Sequence, residues 1–511
     1  MNTKEKCKVV LLNPPTAAPS SEILLNLAYL SSVLKKEGHE VLILDGTAPY
    51  KKLNEKEIEK EIKKFQPNFI GVTITINYIP RTYEYLKRLR KLQIPIVAGG
   101  PHANCLPEEV LQNGADIVAI GEGEDTILEL AEHFLGKKQL KNISGICFKK
   151  DNETPHYTNK RPLIQNLDRI PFPDYESFPI RNYAGSDDPD SNPLFWSIFS
   201  SRGCPYNCTY CSSHNVFGRT FRSRSPKNVI QEIEYLAENY GARFFAFQDD
   251  EAFIDKKRII EFCNLVKKSK FDLKFSARLR IDGLEENMLK EMRSAKFKRL
   301  AFGIESFNDE TLKKVNKMYK IEAITCGLKI LKKVGSQKIH FNNIIGFPWE
   351  TPQHLKDNLK EISKIDKSLI HFASSNPPIP YPKTVLYEDN YKKYGFENWW
   401  LNPKLNSPES KIDSFFMLFV SNQELLYRDD IFWNHSKEMK LALKKFSWKL
   451  AKNNLNQVFS FPMSNLIYLS LIISNYLWKE NPRLEKIIFS PLCFLVKKFK
   501  LDKKAKFIYQ S

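Results

Sequence analysis

The sequence predicts an α/β protein: a doubly wound, Rossmann-like parallel sheet, then a partial TIM-type barrel of six β/α units, then a helical C-terminal region. Two observations favour this fold class. Apolar runs of strand length alternate with helical patterns from Cys7 to Ile120, and the alternation resumes at Phe195 and continues to Ser374. Such alternation is typical of parallel sheets with helical crossovers. The predicted boundaries are 1–148 for the first domain, 149–190 for a linker, 191–390 for the barrel and 391–511 for the C-terminal region.

Each predicted strand of the first domain is an apolar run that ends in a turn of glycine, proline or polar residues. The strands are predicted at residues 7–12, 41–44, 69–76, 94–98 and 117–120, and the helices between them at 24–38, 55–65, 83–92 and 108–113. Ligands of doubly wound sheets bind outside the carboxyl ends of the strands. The turns that follow these strands are therefore the candidate binding residues of this domain.

The segment 149–183 has no clear period and contains five prolines, which predicts an ordered linker. Beyond it, barrel strands are predicted at 195–201, 243–248, 273–279, 299–305, 339–345 and 369–374. The helices between them are predicted at 229–239, 256–269, 286–295, 309–315 and 321–334. Because barrel enzymes carry their chemistry at the carboxyl ends of the strands, polar residues there are the candidates for a second site.

Three cysteines, Cys204, Cys208 and Cys211, lie at C-x3-C-x2-C spacing directly after the first predicted barrel strand. Thiolates held on one loop suit an iron–sulfur cluster or zinc. A structural zinc site takes four protein ligands, and His214 would be the fourth. A four-iron cluster held by three cysteines would instead leave one iron open to a small molecule. The residues alone leave both sites open, together with three buried cysteines that bind nothing.

The cysteine loop, with Tyr210 before its last cysteine, resembles the signature of the radical S-adenosylmethionine (SAM) superfamily. The resemblance implies that the three cysteines hold a [4Fe-4S] cluster, that the open iron binds SAM, and that SAM is cleaved reductively to a 5′-deoxyadenosyl radical. Later strand ends match the family in the same order. The residues predicted there to contact SAM, together with Tyr210, are Asp249, Asp250, Arg278, Glu305, Gly346 and Pro348. Lys383 stands where the family usually has the glycine of Pro-Gly-Thr.

The turns of the first domain resemble those of the cobalamin-binding domain that precedes many radical SAM barrels. The residues that carry this resemblance, and that it implies in cobalamin binding, are Asn13, Pro14, Gly99, Gly100, His102, Gly121, Glu122 and Gly123. The D-x-H-x-x-G motif, whose histidine ligates cobalt, is absent. Cobalamin is therefore expected without a protein histidine on cobalt, with Thr73, Thr75 and Asn77 at that lower face. The alternatives are a domain that only packs against the barrel, and a His102 that only hydrogen-bonds a turn.

Composition limits the compartment and the class of partner. The nine cysteines are odd in number and clustered only once, which argues against a disulfide framework and for a reducing compartment. Neither a signal peptide nor a membrane-spanning stretch is predicted, so we expect a cytoplasmic protein. The net charge of +19 fits an acidic partner, but a lysine-rich composition with solvated side chains explains it more simply.

Residues 432–511 contain 15 Lys and Arg against 4 Asp and Glu, with aromatic residues interleaved. The pattern predicts two to four amphipathic helices. One interpretation is an interfacial anchor that makes the protein peripheral on the inner membrane surface. The other is a helical cap over the barrel mouth, with solvated lysines. Nucleic-acid binding is not expected, because the segment has no recognisable binding motif.

Both resemblances together imply a cobalamin-dependent radical SAM enzyme that methylates an unactivated carbon through methylcobalamin. The alternatives are a cyclase or rearrangement enzyme with the same cofactors, and a non-catalytic cobalamin or iron–sulfur sensor. A methylthiotransferase would need a second cluster, and Cys7, Cys105 and Cys147 do not match that arrangement. The expected partners are a small-molecule or lipid substrate and an electron donor such as flavodoxin or ferredoxin.

Overall fold

The computed structural model describes residues 5–15, 22–48, 53–76, 78–150, 154–184, 195–335, 338–366, 369–402 and 432–458. The strands of the first domain are β1 (Lys8–Asn13), β2 (Glu40–Asp45), β3 (Phe69–Thr73), β4 (Ile96–Gly99), β5 (Ile117–Ala119), β6 (Ile146–Lys150) and β7 (Thr154–Tyr157). They form one sheet in the order β2-β1-β3-β4-β5-β6-β7. The strands are parallel from β2 to β5, which confirms the doubly wound sheet.

Six helices connect or follow these strands: α1 (Leu25–Lys36), α2 (Glu55–Phe65), α3 (Ile79–Leu89), α4 (Pro101–Cys105), α5 (Pro107–Gln112) and α6 (Glu124–Phe134). The sequence does not predict α4 and α6. It also places the domain boundary too early, because β6 and β7 add an antiparallel hairpin to β5. Only Ile146 and Cys147 of β6 are buried, so this short strand has no readable alternation. The first domain extends to Tyr157 rather than to residue 148.

The barrel follows a connector that includes α7 (Ile180–Ala184). Its strands are β8 (Trp196–Ile198), β9 (Ser201–Arg202), β10 (Arg222–Ser223), β11 (Phe244–Phe247), β12 (Lys274–Leu279), β13 (Phe297–Glu305), β14 (Lys338–Ile344) and β15 (Ile370–Asn376). Six of them form a parallel sheet in the order β15-β14-β13-β12-β11-β8. The first predicted barrel strand, 195–201, is in fact split, because after β8 the chain leaves this sheet and β9 pairs with β10 in a separate antiparallel ribbon.

Helices cover the outer face of the barrel sheet. They are α9 (Pro226–Asn239), α10 (Lys256–Lys268), α11 (Glu286–Ser294), α12 (Asp309–Lys314), α13 (Ile321–Val334) and α14 (Pro352–Lys364). The short helix α8 (His214–Phe217) follows the cysteine loop and contacts α4 of the first domain. Phe275 of β12 packs against Phe262 of α10 with ring centroids 5.5 Å apart, and against Phe297 of β13 at 5.1 Å. Because successive strand residues point to opposite faces, the residues on either side of Phe275 point into the barrel.

The two domains pack against each other through apolar side chains. Leu27 and Ala28 of α1 and Leu130 of α6 belong to the same buried cluster as Val229 and Ile233 of α9. Burial of this kind is the main favourable contribution to association of two folded units. The first domain and the barrel therefore share one continuous core.

The chain after the barrel forms α15 (Val385–Glu388), α16 (Tyr391–Tyr394) and α17 (Lys437–Val458). Met439, Leu443, Phe446 and Leu450 of α17 are buried in the barrel's apolar cluster, beside α14 and β15. Their spacing of three and four residues defines one helix face. This helix packs its apolar face on α14 and the edge strand β15, and a cap over the barrel mouth and a membrane anchor both stay predictions. The remaining predicted C-terminal helices, at 459–511, lie outside the described residues.

None of the helices in the described ranges has the length and apolar character that crossing a bilayer requires.

The packing of α17 leads to a stability prediction. Leu443→Ala should lower the free energy of unfolding by about 2–5 kcal/mol, because it leaves a cavity at a side chain with 0% exposure. Leu441 of the same helix is 52% exposed and provides the control. Chemical denaturation of both variants should show a large loss for Leu443→Ala and little change for Leu441→Ala. Equal effects would contradict the packing of this helix face.

Candidate active site

The cysteine loop begins at Gly203, directly after β9. Gly203 has a φ of +81°, and a Cβ there would lie 2.3 Å from the carbonyl oxygen of Thr220. Glycine is therefore required where the chain turns into the loop. Further along, the side-chain amide of Asn316 donates to the carbonyl of Asn207 at 2.9 Å. The loop is thus held by the segment that follows α12.

The three cysteines of the loop are free thiols, and two of them are partly exposed. Burial raises the pKa of Cys204 to about 11 and also raises the pKa of Cys211. Metal binding would release these protons, because the thiolate is the ligand. Within the described ranges, no three His, Cys, Asp or Glu side chains are grouped around a point suited to one metal ion, which disfavours zinc with His214. A four-iron cluster instead takes each cysteine on a different iron, so spaced thiolates fit it.

A buried carboxylate holds the strand that leads to the loop. Asp249, directly after β11, accepts hydrogen bonds from the backbone N–H and the hydroxyl groups of Ser200 and Ser201, with the Ser200 N–H at 2.8 Å. Arg258 donates to the Ser200 carbonyl at 2.8 Å. Burial raises the pKa of Asp249 despite these bonds. These bonds give Asp249 a positioning role toward Ser200 and Ser201, and its contact with SAM stays a prediction.

The two residues after Asp249 differ in burial. Asp250 is exposed and accepts a hydrogen bond from the Ser213 hydroxyl at 2.5 Å, so a role toward SAM stays a prediction. Glu251 is only 7% exposed, and burial raises its pKa to about 7 although Arg280 opposes the shift. Sequence reasoning did not single out Glu251. The sequence signal that could have identified Glu251 is its position directly after Asp249 and Asp250 in the same polar turn.

Behind the loop lies a buried ion pair between Glu305 and Lys317, with nitrogen and oxygen 2.9 Å apart. Lys317 Nζ is also 3.4 Å from the Tyr210 hydroxyl. Glu305 has a φ of +64°, a left-handed conformation that costs about 1–3 kcal/mol in a residue other than glycine. Arg280 donates to the Lys317 carbonyl at 2.7 Å and lies 3.7 Å from the ring centroid of Tyr206. The Glu305 carboxylate pairs with Lys317, and its contact with SAM stays a prediction. Lys317 and Arg280 are the two cations that support the cysteine loop.

Glu350 holds the turn after β14 from inside. Its carboxylate accepts hydrogen bonds from the N–H groups of Gly346 at 2.7 Å and Phe347 at 3.1 Å. On the other side, His435 Nε2 donates to the Gly346 carbonyl at 2.9 Å. Pro348 is half-buried in the same turn. The SAM contacts of Gly346 and Pro348 stay predictions. Their turn is fixed by Glu350 on one side and by His435 on the other.

The carboxyl of Glu350 leads to a prediction about pH. Burial raises its pKa from 4.5 to about 7. Because the folded pKa lies above the unfolded value, the folded state binds more protons between these values, and the unfolding free energy falls as pH rises through this window. Glu350→Gln cannot ionise and should flatten that fall, measured by chemical denaturation at several pH values. The exposed Glu397→Gln is the control and should leave the fall unchanged.

The predicted cobalamin residues lie together at the carboxyl edge of the first sheet, because β1, β3, β4 and β5 are parallel. A Cβ added at Gly99 or Gly121 would meet no atom within 4 Å, and Thr75 is exposed. Open space over bare backbone at a sheet edge fits a large flat ligand such as a corrin ring. Asn77 lies outside the described residues.

Two of the predicted cobalamin contacts already bind protein groups. The Asn13 side chain donates to Asp45 at 2.9 Å and to the Thr47 hydroxyl at 2.7 Å. The Thr73 hydroxyl accepts a hydrogen bond from Asn26 at 3.1 Å. These bonds fix the turns after β1 and β3, so the Asn13 and Thr73 side chains stabilise the carboxyl edge of the sheet. Pro14 is buried in the turn after β1, and Gly100, with a φ of +95°, lies in the turn after β4.

His102 is buried, with 2% exposure. Its Nε2 lies 3.1 Å from both the Tyr83 hydroxyl and Glu109 Oε1. The Trp400 indole N–H donates to the same carboxylate at 2.9 Å. His102 Nδ1 makes no hydrogen bond within the described part of the chain. The alternative in which His102 stabilises its turn therefore fits the geometry, and the network joins the first domain to the segment after the barrel.

Glu122 lies at the centre of a buried ion network between the domains. Its two carboxylate oxygens are each 2.8 Å from a guanidinium nitrogen, one of Arg202 and one of Arg222. Glu124 also pairs with Arg202. The Glu122 side chain therefore binds at the interface, and its contact with cobalamin stays a prediction, while Gly121 and Gly123 present only backbone. Because Arg202 belongs to β9, the network ties this turn to the chain that enters the cysteine loop.

Sequence reasoning missed the buried cations around the loop. Most of them have no local pattern, because they are paired with groups far away in sequence, whereas Arg280 also pairs with Asp282 two residues on. Arg202 alone had a signal, since it lies next to the glycine before the cysteine motif. The missed residues are Arg202, Arg222, Arg258, Arg280 and Lys317.

Two family models match the chain: the radical SAM superfamily at residues 198–362 and the B12 binding domain at residues 18–131. The protein named uncharacterized methyltransferase PH0819, from Pyrococcus horikoshii, is 34% identical over 395 residues, which are 75% of this chain and 82% of that protein. The anaerobic magnesium-protoporphyrin IX monomethyl ester cyclase of Rubrivivax gelatinosus is 28% identical over 416 residues, 76% of this chain and 72% of the cyclase.

The same architecture occurs among solved structures. The radical SAM methyltransferase TsrM from Kitasatospora setae, determined with cobalamin and a [4Fe-4S] cluster bound, superposes with a TM-score of 0.64. The match covers 77% of this chain and 76% of TsrM at 18% identity, so it supports the fold.

Proposed function

Since this chain belongs to the radical SAM enzymes that carry a B12-binding domain, we propose that it methylates an unactivated carbon of its substrate with the help of cobalamin. The observation that carries the proposal is the ion network of Glu122, which joins the open edge of the first sheet to the chain entering the cysteine loop. Methyl transfer that involves both cofactors needs the two sites held in a fixed relation, because misplacement by about 1 Å can cost a hundredfold in rate.

When bound, the cofactors would supply reductive cleavage of SAM and the methyl group. The protein residues hold and orient the cluster and cobalamin. Cys204, Cys208 and Cys211 are the proposed cluster ligands. Lys317 and Arg280 place positive charge behind the loop, where it would stabilise thiolates. The turns at Gly99 and Gly121 are the proposed cobalamin cradle.

Methylation is favoured over cyclisation by the more similar relative. The Pyrococcus horikoshii methyltransferase is 34% identical to this chain, whereas the Rubrivivax gelatinosus cyclase is 28% identical. Product mass separates the two reactions, because methylation adds a CH2 unit and ring closure removes hydrogen atoms. A sensor would form no 5′-deoxyadenosine under any condition.

The test is anaerobic purification in the presence of cobalamin, followed by iron, sulfide and corrin determination on one sample. We expect roughly four irons and one corrin per chain. The same preparation, supplied with a low-potential reductant and SAM, should form 5′-deoxyadenosine. Iron without corrin would contradict the cobalamin half of the proposal, and a product without added mass would favour the cyclase.

A further inference from the structure

The strands of the barrel are rich in basic residues. Their only acidic residue is Glu305, which is paired with Lys317. The basic residues on the interior face of the same strands are Lys274, Arg278, Arg299, Lys338 and His340. A concave surface lined by one sign of charge attracts ligands of the opposite sign.

Arg278 is a cation on an interior strand of the sheet. It is exposed, whereas its neighbours Ala277 and Leu279 are 3% and 5% exposed. Those neighbours face the helix layer, so Arg278 faces the open interior of the barrel. Within the described ranges it makes neither a hydrogen bond nor an ion pair. Its guanidinium is therefore available to a ligand.

The strand register puts His340 on the same face as Arg278. Arg278 is level with Ala301 of β13, and Ala301 is level with His340 of β14. Because neighbouring strands lie about 4.8 Å apart, the backbones of Arg278 and His340 are about 10 Å apart. Ala301 between them contributes only a methyl group. The space beside Gly303, the next residue on that face, is filled by the Glu305 carboxylate and Lys317, so the open space lies at Ala301. This leaves a gap that a carboxylate or phosphate group could fill.

A chain of hydrogen bonds orders the far side of this gap. Arg299 Nη2 lies 2.7 Å from His340 Nδ1, and because a guanidinium cannot accept, Nδ1 is the acceptor. The neutral ring then donates from Nε2 to the Ser374 hydroxyl at 3.1 Å. Ser374 donates in turn to Asn342 at 2.7 Å. The imidazole thus fixes the Arg299 guanidinium on the interior face.

One carboxylate reaches this sheet from the first domain. Glu22 accepts hydrogen bonds from Ser197 and Gln248, both at 2.9 Å. Ser197 and Gln248 belong to the β8–β11 side of the sheet, and no ion pair joins Glu22 to Arg278. The positive charge of Arg278 is therefore not neutralised by this residue.

We propose that the substrate carries an anionic group, a carboxylate or a phosphate, that binds between Arg278 and Arg299. The inference rests on the proposed function, because the anion would anchor the molecule that is methylated. It replaces the predicted pairing of Arg278 with the SAM carboxylate, since one guanidinium cannot serve both. Arg278 is the penultimate residue of β12 and is level with Ala301, which is two residues from Arg299 and four from Glu305 at the end of β13.

The experiment measures anion binding to the full-length, cluster-loaded protein by calorimetry, with inorganic phosphate and acetate as separate probes. Wild type should bind at least one probe. Arg278→Gln and Arg299→Gln should each weaken that binding about tenfold, because charge-assisted hydrogen bonds are lost. Arg278→Lys keeps the charge and should retain part of it. Arg81→Gln, on an exposed arginine of α3, is the matched control and should bind as wild type does.

SAM affinity and 5′-deoxyadenosine formation are measured on the same preparations. We expect Arg299→Gln to keep the SAM affinity of wild type while its affinity for the anion falls. Unchanged anion binding in both glutamine variants would overturn it, and so would a loss of SAM affinity alone in Arg278→Gln. Wild-type protein that cleaves SAM but binds neither probe would contradict this inference and leave the proposed function intact. Anion binding without deoxyadenosine would support the anion site and count against the proposed function.

Discussion

Cys208→Ser is expected to reduce reductive SAM cleavage to the level of cluster-free protein. A serine hydroxyl is a harder and far less acidic ligand than a thiol, so the cluster would keep only two protein ligands. Cys208 is the most enclosed of the three, at 9% exposure, and no set of His, Cys, Asp and Glu side chains among the described residues forms a replacement metal site. Iron content, the visible absorption of the cluster and deoxyadenosine yield measure the loss.

Cys326→Ser is the matched control for this change. Cys326 is exposed on α13 and should tolerate the substitution with full iron content and full SAM cleavage. If Cys208→Ser instead retained iron and formed deoxyadenosine, the loop would not be the cluster site. Loss of iron in both variants would point to general instability of the barrel.

Glu122→Gln is the change expected to disturb stability most. Glu122 and Arg222 are each 5% exposed, and their attraction compensates for removing both charges from water. Glutamine would leave the Arg222 and Arg202 guanidinium groups buried without a full countercharge. Breaking a buried pair in this way costs about 3–5 kcal/mol. Chemical denaturation should show the loss, and limited proteolysis should show faster cleavage between the domains.

Glu238→Gln controls for the loss of one carboxylate. Glu238 pairs with Lys270 at 2.9 Å, but both side chains are more than 60% exposed, so the pair contributes little. Its unfolding curve should overlap that of wild type. A Glu122→Gln protein with the same curve would show that the interface does not depend on this carboxylate. If Glu122→Gln unfolds at a lower denaturant concentration yet keeps its iron, the interface contributes to stability independently of the cluster site.

Local signals explain why much of the fold was predictable. The helix Glu55–Phe65 agrees with the sequence prediction at both ends, because Asn54 and Glu57 form a capping box at its start. Ile321–Val334 also agrees at both ends, with Gly335 as the stop. The hairpin of β6 and β7 was missed because its strands are short and sit at a sheet edge, where alternation is weak.

The sequence by itself determined the order of the elements, the place of the cysteine loop after the first barrel strand, and the family to which the loop belongs. These depend on neighbours along the chain: periodic burial, turn residues and the spacing of three cysteines. Only the tertiary structure determined which groups Asp249, Glu122 and His102 bind. A polar side chain acts through the group it meets, and those groups lie at least seven residues away and mostly in another element or domain. No local pattern carries that information.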